Sequence, residues 1–279
     1  MRTILATLAA AGLALAATAP AAAHNHTISA EGQAALQAAV ANPNRAADQP
    51  RDAHRHPAET LAFFGIEPDM KVGEYAPGGG WYSRVLGNYL SPQGQLVGLY
   101  FTPDNGPFSE EAQAGIRKGA EDFPGKVAEW TGRDQAGTAG LTLDAVSDAD
   151  KGTFDRIVVI RMMHNMMRWN FADSELKAMR DLLKPGGMLG IVQHRAKADA
   201  PASYAGGPMG YVREKDVIGL VEAMGFELAG QSEINANPQD SADHPEGVWE
   251  VSPSWRTQRA ELRDIGESDR MTLLFRKRD

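Results

Sequence analysis

His164 and His194 each follow an apolar run that reads as a buried strand: Ile157-Val158-Val159-Ile160 before the first, Met188 to Gln193 before the second. In open α/β sheets, ligands sit outside the carboxyl ends of the strands, so both imidazoles are expected at one edge of one sheet. An imidazole titrates near neutrality and can take a proton from an attacking oxygen or nitrogen. The plainer reading of each is a hydrogen bond to a loop carbonyl and no chemistry. Arg161, Asn165, Arg195 and Tyr211 stand near the same strand ends and are candidates for holding a substrate. The two arginines suit a carboxylate or phosphate, or pair with the protein's own acids.

A second constellation lies earlier in the chain. Val72-Gly73-Glu74-Tyr75-Ala76-Pro77-Gly78-Gly79-Gly80 runs from a short strand into a tight turn. Glycines let the backbone turn sharply and approach a ligand closely. The helix that follows presents free N–H groups at its start. Glu74, inside the strand, can receive a cation or brace the loop. Such turns also occur for structural reasons alone, and in nicotinamide enzymes.

Three further groups have weaker claims. Met162, Met163, Met166 and Met167 surround His164; a thioether copper site competes there with ordinary core packing, and packing is preferred. His54 and His56 flank Arg55 in the segment Arg51 to Pro57, read as a lid or cap over the pocket or as solvated loop histidines. Cleavage after Ala23 would expose His24-Asn25-His26, a nitrogen set for square-planar Cu(II) or Ni(II). No resident metal is assigned.

The elements that must position these residues follow from periodicity and punctuation. A helix is expected near Ser29 to Val40 with Ser29 as N-cap, and another from Ala58 to Phe64 with Pro57 in its first turn. Strands are expected at Lys71 to Tyr75, Gln95 to Phe101, Arg156 to Ile160, Met188 to Gln193, Phe226 to Gln231 and Met271 to Arg276. Helices are expected over Trp81 to Leu90, residues 109 to 130, Ser174 to Leu183 and Lys215 to Met224. The alternation implies a mostly parallel sheet with helices on both faces. Trp249 and Trp255, in a late loop region, would cover either a pocket or a partner.

Composition narrows the partners. The formal net charge of −8 argues against a nucleic-acid backbone as ligand. The absence of cysteine excludes disulfides, thiolate metal sites and cysteine nucleophiles. Arg2, the uncharged run Ile4 to Ala17, and Ala21 and Ala23 have the layout of a secretory signal. The expected organisation is a signal peptide over residues 1–23, an N-terminal helix and linker or cap over 24–57, and an α/β domain over 58–279. The expected location is periplasmic or secreted, with no membrane span after cleavage.

The motifs also resemble a known family. Glu74 with the small residues after it looks like the first motif of class I S-adenosylmethionine (SAM) methyltransferases. Phe154-Asp155-Arg156-Ile157-Val158-Val159 resembles the start of their fourth strand, and Leu183-Lys184-Pro185-Gly186-Gly187-Met188-Leu189 the turn into their fifth. Arg51 to Pro57, Pro77 to Tyr82, Arg161 to Asn165 and Ile265 to Thr272 are similar to an exported bacterial group described as methyltransferases of unknown substrate. The resemblance implies a Rossmann-like fold, SAM as cofactor and a small molecule or exposed protein group as substrate. It also implies that Glu74, Ala76, Gly78 and Gly80 line the methionine side of SAM, with Asp144 near the adenine.

One departure stands out. The family usually holds both ribose hydroxyls with an acid at the end of the second strand, and this strand ends Leu99-Tyr100-Phe101. Tyr100 is the nearest polar group, and Asp104 would have to reach in from the loop. The alternative function is therefore a non-catalytic periplasmic ligand-binding protein on the same scaffold. A nicotinamide oxidoreductase is disfavoured, because the glycine spacing and the acid after the second strand are both missing.

Overall fold

A computed structural model describes residues 28–279 except 91, 133 and 135. The expected signal peptide and the His24-Asn25-His26 motif lie outside the described residues. The elements in chain order are α1 (Ala30–Val40), α2 (Asp52–Arg55), α3 (Pro57–Phe63), β1 (Lys71–Tyr75), α4 (Trp81–Leu90), β2 (Gln95–Tyr100), α5 (Glu110–Thr131) and β3 (Thr138–Thr142). They continue with β4 (Phe154–Ile160), α6 (Met163–Arg168), α7 (Ala172–Leu182), β5 (Leu183–His194), α8 (Ala202–Ala205), α9 (Glu214–Ala223), β6 (Phe226–Ser232) and β7 (Arg270–Lys277).

Helix starts follow the expected capping chemistry. Ser29 Oγ accepts the Gly32 N–H at 2.9 Å and donates to Glu67 Oε2 at 2.9 Å, which pins α1 to the loop before β1. Ser109 caps α5 in the same way, accepting from Ala112 N at 3.3 Å. Pro57 is the first residue of α3.

The seven strands form one sheet in the order β3-β2-β1-β4-β5-β7-β6. The β1–β2, β1–β4, β2–β3 and β4–β5 pairs are parallel, and β7 runs antiparallel to both β5 and β6. The expected α/β architecture, mostly parallel with helices on both faces, is the one observed. Successive side chains of a strand point to opposite faces, so each strand feeds two cores. Ile157, Val159, Leu189 and Ile191 pack with Met163, Met166, Leu176 and Val217 from α6, α7 and α9. Val72, Leu96, Val158 and Val192 pack with Leu36, Leu61, Val85 and Phe123 from α1, α3, α4 and α5. Helix α1 therefore shares the main core. A third, smaller cluster beyond the end of β5 joins Ala196, Ala205, Tyr211, Val248 and Val251.

Strand β3 and helices α2, α6 and α8 are not among the elements expected from the sequence, and β5 begins at Leu183 rather than Met188. Strand β3 is not anticipated, so the run at Arg156 to Ile160 belongs to the fourth strand rather than the third. Its sequence, Thr-Ala-Gly-Leu-Thr, is only partly buried and pairs on one side, at the sheet edge, so it carries neither an apolar run nor clean alternation. Helix α6 is short, and its methionines give no polar face to read.

Among the described residues no helix is long and apolar enough to cross a membrane. Phe64 is fully buried, and its ring lies where Gly190 on β5 leaves room: a Cβ at Gly190 would stand 2.6 Å from it. Phe64→Ala should therefore destabilise the protein by about 3–5 kcal/mol, read from the denaturant midpoint. A loss below about 1 kcal/mol would show that this contact does not hold α3 to the sheet.

Candidate active site

A cavity of about 490 Å³ opens at the carboxyl ends of β1, β4 and β5. Its lining brings together the glycine-rich turn, both strand-end histidines and the N-terminal segment. A larger groove of about 590 Å³ lies under α1, among Ala35, Ala38, Asn42 and Pro68, away from this edge.

The turn after β1 is held by backbone bonds: Ala76 N donates to Leu99 O at 2.7 Å, and Gly80 N donates to Pro77 O at 3.0 Å. Gly78 has φ +57° and Gly80 φ +74°, which favours glycine at both. Their surroundings differ. A Cβ on Gly78 would meet no side chain, whereas one on Gly80 would strike the Trp130 ring at 2.3 Å. Gly78 thus faces open space in the cavity, and Gly80 is required by packing. Ala76 and Arg161 also carry positive φ values, +51° and +58°, without being glycine. Strain of this kind clusters at functional sites, and these two residues end β1 and β4 side by side in the lining.

Glu74 is buried beneath the turn. Ser83 Oγ donates to its Oε2 at 2.6 Å. Burial pushes its carboxyl up to about 8, against the opposing pull of Ser83 and Arg84, so it is protonated at neutral pH.

His164 and His194 face each other with ring centroids 5.8 Å apart, and both line the cavity. Gln193 Nε2 donates to Gly210 O at 2.9 Å and the His164 backbone N–H donates to Gln193 Oε1 at 3.4 Å, while His164 Nδ1 lies 3.4 Å from both Oε1 and Nε2 of that amide. Burial lowers the His164 imidazole to about 4. His194 Nδ1 lies 2.5 Å from Ser268 Oγ, and burial, followed by the charges of His164 and nearby arginines, holds it well below its ordinary value. Both rings are therefore neutral at physiological pH.

The remaining expected residues divide between the cavity and other places. Arg161 and Asn165 line it. Arg195 does not: it pairs with Glu233, Asp269 and Glu214 in a separate depression. Tyr211 is fully buried, donating to Asp240 Oδ2 at 2.8 Å. Tyr100 turns away from the cavity and packs edge-on against Phe123 under α5. Asp144 is bound to Arg117 at 2.8 Å, with Asp104 on the same guanidinium at 3.4 Å. The methionines are core: Met163 and Met166 are fully buried, and Met162 and Met167 pack against them.

In the segment Arg51 to Pro57 the arginines reach the cavity and the histidines do not. Arg51 and Arg55 line it, together with Asp48, Trp81, Tyr82 and Arg84. His54 and His56 face a different depression beside Gly266. The sequence leaves a lid or cap and solvated loop histidines both open for this segment; the usable signal is the four-residue spacing of Arg51 and Arg55. Trp249 closes another side, its ring 6.4 Å from that of His164.

At the end of β2, where a ribose carboxylate is usual, aromatic rings fill the space. Phe101 stacks on Phe108 at 5.7 Å and meets Trp169 and Phe171. The buried acid nearest this end is Glu175 on α7, which accepts from Tyr75 Oη at 2.7 Å and Thr102 N at 3.1 Å.

No family model matches the chain and no curated protein does. Among solved structures it is similar to a SAM-dependent methyltransferase from Aquifex aeolicus, at 15% identity and TM-score 0.49 over 88% of this chain and 98% of that one. It is also similar to the 4+2 cyclase SpnF, at 14% identity and TM-score 0.50 over 90% of this chain and 98% of that one. The sheet order, together with the likeness to SpnF at TM-score 0.50, gives a Rossmann-like fold, and fold leaves function to the site.

The buried acid generates a pH prediction. Glu74 has an ordinary value of 4.5 and a folded value of about 8. Below the first, both states hold the proton; between the two, the unfolded chain releases it and the folded chain does not. Stability from this group is therefore full at low pH and lost as pH rises through about 8. Glu74→Gln should gain on the wild type by on the order of a few kcal/mol between about pH 5 and pH 8. Parallel stability curves for the two proteins would show that Glu74 is ionised in the fold.

Proposed function

We propose that this protein is a SAM-dependent methyltransferase. The observation that carries the reading is the open turn at Gly78, beside buried Glu74, in one cavity with the histidine pair. Gly78 and Gly79 leave a cradle that a side chain would fill, which suits close approach of the methionine portion of the cofactor. Ala76 and the protonated Glu74 would complete that side. The ribose side has no carboxylate to offer, so binding would rest mainly on the turn. Bound SAM supplies an electrophilic methyl group on a sulfonium. His164 is neutral and its Nε2 makes no hydrogen bond among the described residues, so in the tautomer protonated at Nδ1 it would accept the proton of the nucleophile there. Trp249 and Val248 line the same cavity and would shield the reacting groups from water once it is filled.

The alternative, a non-catalytic binding protein, is favoured by one feature: the aromatic stack at the end of β2, with no free acid. Isothermal titration of the mature protein with SAM and S-adenosylhomocysteine separates the two. Binding that Gly78→Asp abolishes is the expected result; no binding by folded protein at millimolar concentration would reject the methyltransferase reading. Once a substrate is in hand, His164→Asn should lower kcat by about 100-fold or more with little change in KM. An unchanged kcat would remove His164 from proton transfer. The reading includes export, and the intact mass of the mature protein tests whether it begins at His24.

A further inference from the structure

The cavity and the ion-pair network behind it hold more positive charge than their acids balance. Arg51, Arg55 and Arg270 converge on the single carboxylate of Glu267: Arg51 Nε donates at 2.7 Å, Arg55 Nε at 3.0 and 3.2 Å, and Arg270 Nη2 lies at 3.2 Å. The other acids nearby are engaged elsewhere, Asp48 with Arg84, Asp52 with Arg45 and Asp269 with Arg195. Glu74 is uncharged at neutral pH. Arg161 then adds a fourth guanidinium, which makes no hydrogen bond or salt bridge among the described residues. Four guanidinium groups thus face one carboxylate.

The unpaired donors are specific atoms. Both terminal nitrogens of Arg55, Nε of Arg161 and the indole N–H of Trp81 are buried and have no partner. Arg55 is 1% exposed, and its guanidinium lies over the Trp81 ring, 4.6 Å from the ring centre. A buried donor left unsatisfied is costly, and a buried charge more so. Arg55, Arg161 and Trp81 all line the cavity. A planar guanidinium fork matches an oxyanion in geometry as well as charge.

We infer that Arg55, Arg161 and Trp81 form a subsite for an oxyanion, a carboxylate or phosphate carried by the substrate. Arg161 ends β4 three residues before His164, so the anion is held on the histidine side of the cavity. The substrate class is then a small organic acid or phosphate ester whose nucleophile reaches the imidazoles. Only the word substrate rests on the methyltransferase reading; binding of the anion does not.

The probe is inorganic phosphate, titrated into the mature protein at constant ionic strength. The readout is the Trp81 indole N–H resonance, assigned by its loss in Trp81→Phe. A saturable shift with phosphate and none with chloride is expected. Arg161→Gln should weaken phosphate at least tenfold and leave the unfolding midpoint at or above that of the wild type, because Arg161 has no partner to lose and its unpaired buried charge is removed. Arg55→Lys, which keeps a charge for Glu267 but loses the fork, should also bind more weakly. An equal shift in chloride, no shift at all, or unchanged affinity in Arg161→Gln would overturn the subsite.

Repeating the titration in saturating S-adenosylhomocysteine distinguishes the source of the anion. Phosphate that still binds assigns the subsite to the substrate. Competitive displacement would assign it to the cofactor's own carboxylate and overturn the substrate assignment. Should S-adenosylhomocysteine fail to bind, the methyltransferase reading falls while the phosphate titration still decides whether the anion site exists.

Discussion

Glu267 carries the ion-pair network on which the candidate site is built. Its carboxylate joins Arg51 and Arg55, more than two hundred residues earlier, to Arg270 at the start of β7. Both Glu267 and Arg55 are nearly inaccessible to solvent. Removing one partner of such a buried pair leaves an uncompensated charge, which is far more costly than an exposed pair is worth. The contact therefore fixes where the N-terminal segment crosses the sheet edge. It also leaves the cavity with a surplus of guanidinium donors.

The sheet supplies the other half of the arrangement. Parallel β1 and β4 lie at its centre, and their carboxyl ends bring the glycine-rich turn and Arg161 into adjacent positions. Antiparallel β7 inserts between β5 and β6, which sets Arg270 opposite His194. Strained backbone at Ala76 and Arg161 is tolerated because packed strands hold both residues from one side. The cavity is thus rigid where the strands end and depends on long-range contacts where Arg51 to Arg55 and Val248 to Trp249 cover it.

Much of the frame was legible in the sequence. β1 and α4 fall where the apolar spacing and the glycine turn predict them, and Ser29 and Ser109 cap helices whose onset polar residues announce. The Rossmann-like fold that the Glu74 and Leu183 motifs imply is the fold observed. β3 escaped because an edge strand, paired on one side and half exposed, needs no apolar run. Tyr100 and Arg195 were placed at the ligand edge by position along the chain. Yet Tyr100, two residues beyond Gly98 on β2, falls on the face that α5 covers, and Arg195 found three acids to pair with.

The sequence by itself determined the strand and helix alternation, the turn at Gly78 and the arrival of His164 and His194 at one sheet edge, because these depend on local periodicity and on the rule that strand ends carry ligands. Only the tertiary structure decided which side chains complete the cavity. Arg55 rather than His54 faces inward because α2 is anchored through Glu267, a residue at the other end of the chain. Glu74 is neutral rather than charged because the packed turn shuts water out, against the pull of Ser83 and Arg84. Partnership and desolvation are properties of three-dimensional neighbours, and local sequence spacing does not encode them.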